Sequence, residues 1–185
     1  WYYNPADGNT AVYDISLDIG TSGATDTIQS SQAFLVKASA GSAQLSFEEA
    51  DKVAQRAGGF FGGDQVSAFT GLRLKVTSAL NTYNDETLVI FNTGTSELDG
   101  NDVPKMTFAH PDAPQIATMA PTGEMIAISA FGEYNTDVTI PVMVDVAVSG
   151  TYTVTASNME NLGLTCLVLE DLQTGTMTSL VEGAS

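Results

Sequence analysis

"LRLKVTSALNTYNDETLVIF", residues 72–91, decides the fold class. Through "LRLKV" apolar and charged residues alternate. Successive side chains of a strand point to opposite sides, so Leu72, Leu74 and Val76 face inward and Arg73 and Lys75 outward. "ETLVIF" is apolar almost throughout, the pattern of a central strand covered on both faces. Turn-forming residues separate the two runs.

The same rhythm extends in both directions. "WYYNPADGNTAVYDISL" reads as a strand, an Asp-Gly turn at Asp7 and Gly8, and a second strand. A polar Gly/Ser/Thr loop, "DIGTSGATDT", follows. "IQSSQAFLVKASA" then places Phe34 and Val36 on one face and Leu35 on the other, and a short strand runs through Leu45 and Phe47. A brief helix is expected at Glu48–Ala57, where Ser46 and Glu49 fit a capping box, and the Gly-rich "GGFFGGD" at 58–64 ends it.

Downstream come "KMTFAH", "GEMIAISAF" and "DVTIPVMVDVAV". The last aligns Ile140, Val142, Val144, Val146 and Val148, and Pro141 argues for an edge position or a bulge. "GTYTVTASN" sets Tyr152 and Val154 against a row of threonines, and "LTCLVLEDLQTGTMTSLV" is a hairpin turning at Thr174 and Gly175. About eleven short strands with at most one short helix predict an all-β chain, an antiparallel β-sandwich or jelly roll. Residues 1–185 form a single module, without the intervening helices a parallel sheet is expected to need.

Composition narrows the function. Asp and Glu number 22 against 6 Lys and Arg, a net charge of −16. That field repels phosphate backbones and anionic lipid, so neither nucleic acid nor an acidic membrane surface is an expected partner. It suits solubility outside a cell, in salty water or among divalent cations. No apolar stretch approaches the ~20 residues of a membrane-spanning helix. The opening on Trp1, with neither initiator Met nor signal peptide, leads us to expect a processed or excised piece.

Catalytic signatures are sparse. Cys166 is the single cysteine, which excludes an intrachain disulfide and a thiolate zinc cluster; its apolar neighbours predict a small buried side chain. His110 is the single histidine and has no nucleophile elbow beside it. Glu170 and Asp171 are adjacent on a strand, face opposite ways, and cannot flank one glycosidic bond. Glu48 with Glu49 and Glu97 with Asp99 are no better singled out, and no enzyme activity is expected. Trp1, Tyr2, Tyr3, Tyr13, Tyr83 and Tyr134 are candidates for stacking on sugar rings.

"NTGTSELDGNDVPKM", residues 92–106, concentrates hard oxygen ligands. Asp99, Asn101 and Asp102, with Glu97 nearby and Gly100 easing the turn, are a candidate calcium site, although the EF-hand pattern is not met. The alternative is a solvated connection between "ETLVIF" and "KMTFAH" whose Asp and Asn side chains bond their own backbone.

Taken in order, "YYNPADGNTAVYD", "IQSSQAFLVKASAGSAQLSF", "LRLKVTS" with "DETLVIF", "GEMIAISAF", "VTIPVMVDVAVSGTYTVTASNMENL" and "CLVLEDLQTGTMTSL" resemble a known β-rich region. It lies near the ends of large secreted Bacteroidetes proteins exported by the type IX secretion system, surface adhesins and multidomain enzymes among them. The likeness covers nearly the whole chain. It implies an extracellular, cell-surface β-sandwich with a structural or adhesive role and no chemistry of its own. Its implied partners are neighbouring domains, copies of the same protein and the type IX secretion machinery.

The family usually adds a "GWNLxGNPY"-like strand before the first hairpin, and an aromatic strand ending in Arg-Phe after the last. Neither occurs here, and the C-terminal sorting domain is also missing. The module is therefore expected to lack its first and last strands, which lie either in further sequence or in another chain that adds them. Two other functions stay open: a carbohydrate-binding module of a polysaccharide-degrading enzyme, and a fibre subunit completed by strand exchange.

Overall fold

A computed structural model describes residues 1–38, 41–53, 69–95, 98–133, 137–159, 161–163 and 166–181. Two small hairpins open the chain: β1 (Tyr2–Asn4) with β2 (Asn9–Ala11), and β3 (Tyr13–Asp14) with β4 (Ile19–Gly20). Then follow β5 (Gly71–Ser78), β6 (Asn84–Ile90), β7 (Val103–Pro104), β8 (Gln115–Met119), β9 (Met125–Ala130), β10 (Val142–Asp145) and β11 (Tyr152–Ser157). A last hairpin joins β12 (Val168–Asp171) to β13 (Thr176–Ser179) around the turn at Thr174 and Gly175. The chain is all-β, and its main sheet has the order β10-β8-β9-β6-β5-β11, with β7 paired to β9 as well.

The stretch at 72–91 folds as its pattern requires. Leu72, Leu74 and Val76 are buried, and β6 lies inside the sheet between β5 and β9. Val89 and Phe91 join the β5 side chains and Ile116 in one apolar cluster. Leu88 and Ile90 point the other way, against Val12, Ile19, Val103 and Ile128. β6 is apolar at consecutive positions because each face covers a core, and burying one such side chain contributes about 1.5–3 kcal/mol.

One pairing departs from the antiparallel expectation. β6 runs parallel to β9, with Leu88 opposite Ile128 and Ile90 opposite Ala130. A parallel pair needs a long crossover, not a helix as such. Residues 91–124 supply it by way of β7 and β8.

The Asp-Gly turn is present and tightly fitted. Asn4 Nδ2 donates to Asp7 Oδ2 at 2.6 Å, and Gly8 adopts φ +69°. A Cβ on Gly8 would meet the Tyr83 ring at 2.6 Å, while its carbonyl accepts from the His110 amide at 2.6 Å. Gly8→Ala is therefore expected to destabilise the fold by about 2 kcal/mol, through left-handed strain plus that clash. A urea midpoint within error of the parent's would refute this.

Five local expectations need correction. "KMTFAH" forms no strand: after β7 the chain leaves the sheet, and Phe108 is exposed. Residues 43–48 are likewise irregular with Leu45 and Phe47 exposed, and the stretch around Phe34 forms no strand, although Phe34 packs on Tyr2 and Ala11 and Leu35 exchanges two hydrogen bonds with Trp1. The expected helix is a single 3₁₀ turn, Glu49–Asp51, capped by Glu48 and Asp51 and not by Ser46 and Glu49. Its expected continuation at 54–57, with the Gly-rich segment 58–64, lies outside the described residues. Cys166 is exposed, because the β12–β13 hairpin lies outside the main sheet and inserts chiefly Leu167 and Leu180 against the core.

Candidate functional site

A surface concavity opens beside the acidic loop. Thr95, Leu98 and Asp102 form one wall, Val138 and Pro141 the opposite one, and Ile126, Ser129 and Phe131 the floor, enclosing about 320 Å³. β9 contributes Ile126 and Ser129, β8 contributes Met119, and the lead-in to β10 contributes Val138 and Pro141. The lining is mainly apolar, with Asp102 as its one carboxylate.

Asp99, Asn101 and Asp102 do share one loop, but the oxygens of both aspartates are taken up by backbone amides of the loop and of β9. Asp102 Oδ1 accepts from the Ala130 amide at 2.9 Å and Oδ2 from the Asp99 amide at 2.8 Å. Asp99 Oδ1 accepts from the Asn101 amide at 2.7 Å, and Oδ2 from both the amide and the hydroxyl of Thr95 at 3.1 Å. The Asn101 amide is the main influence holding the Asp99 carboxyl below the usual range. These are the self-bonded turns open to Asp and Asn. Among the described residues no three His, Cys, Asp or Glu side chains gather as metal ligands would; Glu97 lies outside them.

A second feature was not legible as a site. β6 carries adjacent acids, Asp85 and Glu86, whose side chains leave on opposite faces, and each finds its own cations. Asp85 Oδ2 meets Lys105 Nζ at 2.5 Å and accepts from the Ile116 amide at 2.7 Å. Burial raises the Asp85 carboxyl above its ordinary value, outweighing the opposing pull of Lys105.

Glu86 Oε2 accepts from Arg73 Nη1 at 2.5 Å and from the Ser22 amide at 2.9 Å; Oε1 lies 3.3 Å from Lys75 Nζ. Arg73 Nη2 goes on to the Gly20 carbonyl at 3.2 Å. Burial would push Glu86 up, but Arg73, Ser22 and Lys75 together hold it below the usual range. Arg73 and Lys75 thus lie on the face of β5 opposite Leu72, Leu74 and Val76, and Arg73 with Glu86 docks the β3–β4 hairpin on the sheet. The signal in the sequence was two acids opening an otherwise apolar strand. Their partners, 13 and 20 positions from Glu86 and Asp85, could not be paired by spacing.

The remaining candidates are mostly used within the fold. The Trp1 indole donates to the Pro104 carbonyl at 3.0 Å, Tyr2 is buried, and the Tyr13 hydroxyl donates to Asp18. Tyr83 stacks on His110 with ring centroids 4.5 Å apart, and Tyr3 meets Phe108 edge-on. His110 Nδ1 accepts from the Asp112 amide at 3.2 Å. Tyr134 lies outside the described residues. Compared with protein-family models, curated proteins and solved structures, the chain matches none.

Proposed function

We propose that this chain is a non-catalytic structural and adhesive module of a secreted or surface-anchored bacterial protein. It works outside the cell, packed against neighbouring domains or further copies of itself. The secretion route is that implied by the resemblance to proteins of the type IX system. The observation that carries the reading is the apolar surface on the outlying strands. Val144 and Val146 beside the terminal strand β10, and Val168 and Met177 on the last hairpin, are all exposed, Met177 by 69%. Apolar side chains in such number on a chain this acidic favour contact with another protein surface. The deep ionisable groups also favour it: Asp85, Glu86, Arg73, Lys75 and Lys105 are committed to one another, so they hold strands in place and face no external substrate.

Two measurements test the reading together. A panel of glycosidic, ester and peptide substrates is expected to show no turnover, and a glycan array no saturable binding. Either signal would replace this reading with an enzyme or a carbohydrate-binding module. Sedimentation velocity is expected to show association that strengthens as salt is added, because screening relieves repulsion between like-charged modules. Association that weakens with salt, or survives Val144→Asp with Val146→Asp, would refute packing through this surface.

A further inference from the structure

We propose that Lys105 and Asp85 are the two halves of an intramolecular isopeptide bond, an amide formed between the lysine amine and the aspartate carboxyl. Three lysine–carboxylate pairs are present among the described residues, and they differ in one respect. Lys52 with Glu49 is open to solvent on both sides, and Lys75 with Glu86 leaves the lysine side chain 40% exposed. Lys105 with Asp85 is dry, with side chains 3% and 2% exposed and Nζ 2.5 Å from Oδ2.

In water such a pair stays ionic, since solvation favours both charges and the surrounding water opposes condensation. Both conditions are reversed here. Burial disfavours the separated charges, and the 2.5 Å contact between Nζ and Oδ2 offers a direct path for a proton from nitrogen to the carboxyl. The nitrogen is held 2.5 Å from Oδ2, an oxygen carried by the carbon it attacks, by the packing of β6, β7 and β8. Pre-positioning of this kind replaces an encounter in solution with an intramolecular step. The Ile116 amide already donates to Oδ2 at 2.7 Å, where negative charge develops as nitrogen attacks.

The step balances without any co-reactant. The Nζ–Cγ bond forms, the Cγ–Oδ1 bond breaks, and the hydroxyl leaves with one proton from nitrogen as a molecule of water. Neither centre is oxidised or reduced. The product amide keeps its oxygen on the Ile116 amide and removes two buried charges. It would tie β6 to the chain leaving β7 and enclose residues 86–104, the acidic loop included, in a covalent ring. This holds whatever surface the module contacts.

Intact mass spectrometry of the folded, purified chain decides it. The expected result is a chain lighter by one water, and after cleavage on the C-terminal side of glutamates, which cuts at Glu86 and Glu97 between the two, a branched peptide joining the Asp85 and Lys105 segments. Lys105→Arg keeps the cation beside Asp85 but is not expected to condense, so that variant should show the full mass. A succinimide at Asp7-Gly8 or Asp99-Gly100 also loses water, but it would persist in Lys105→Arg and leave the peptides unbranched. Full mass for the native chain, or water loss without the branch, would overturn the proposal. If Lys105→Arg does not fold, the native chain's peptide map alone decides.

Discussion

Lys105→Met is expected to lower the unfolding free energy by about 3–5 kcal/mol, the largest loss from a single change of charge in this chain. The substitution keeps most of the side-chain volume, so a cavity contributes little. What it removes is the only cation facing Asp85 among the described residues, in a place where the carboxyl is 1% exposed. Asp85 must then stay charged without a counter-ion or take up a proton, and either state loses the contact that fixes the chain after β7. The Lys105 amide still donates to the Met125 carbonyl at 2.8 Å, so the effect is local to the side chain. Measured against a parent in which the two remain an ion pair, Asp85→Leu combined with Lys105→Met is expected to recover most of the loss, since replacing both members of a buried pair by apolar groups is commonly neutral. Urea denaturation of the two single variants and the double variant measures this. Additive losses would show that Asp85 and Lys105 do not act as a pair.

Glu86→Ala is the second large effect, expected to cost about 2–4 kcal/mol. It strands Arg73 and Lys75 together on one face of β5 and frees the Ser22 amide. The damage should concentrate in the β3–β4 hairpin, which Glu86 and Arg73 jointly dock. Hydrogen exchange is expected to accelerate at residues 12–22 before it does in β6 or β9; uniform acceleration would contradict a docking role.

Acid should mimic this substitution. The Glu86 carboxyl is held below its ordinary value, so it contributes stability above the unfolded-state pKa, near 4 for glutamate, and that contribution disappears as pH falls through the depressed folded value. Where Asp85 is not joined to Lys105 it has the opposite sign: its raised carboxyl favours the fold at low pH and opposes it as pH rises. In Glu86→Ala the acid-dependent loss should therefore flatten.

The two faces of β5 and the interior position of β6 were legible in 72–91 because strand side chains alternate with a period fixed by the backbone itself. The Asp-Gly turn and the Thr174-Gly175 turn were legible for the same kind of reason, since positive φ at Gly8 and Gly175 needs only local chemistry. Pro141 marked β10 as an edge because proline lacks a ladder donor. The acidic loop could be located from its composition, but not the direction of its oxygens. Asp102 reaches the Ala130 amide on a strand 28 positions away.

All-β character, the interior strands, the principal turns and the acidic surface were thus set by residues acting on their immediate neighbours. The tertiary structure alone decided that β6 runs parallel to β9, that Asp85 meets Lys105, that Glu86 gathers Arg73, Lys75 and the Ser22 amide, and that Cys166 faces solvent. The physical reason is range. Backbone geometry and turn chemistry act over a few residues, whereas pairing of strands and charges is selected by which surfaces can be buried together, whatever their separation along the chain.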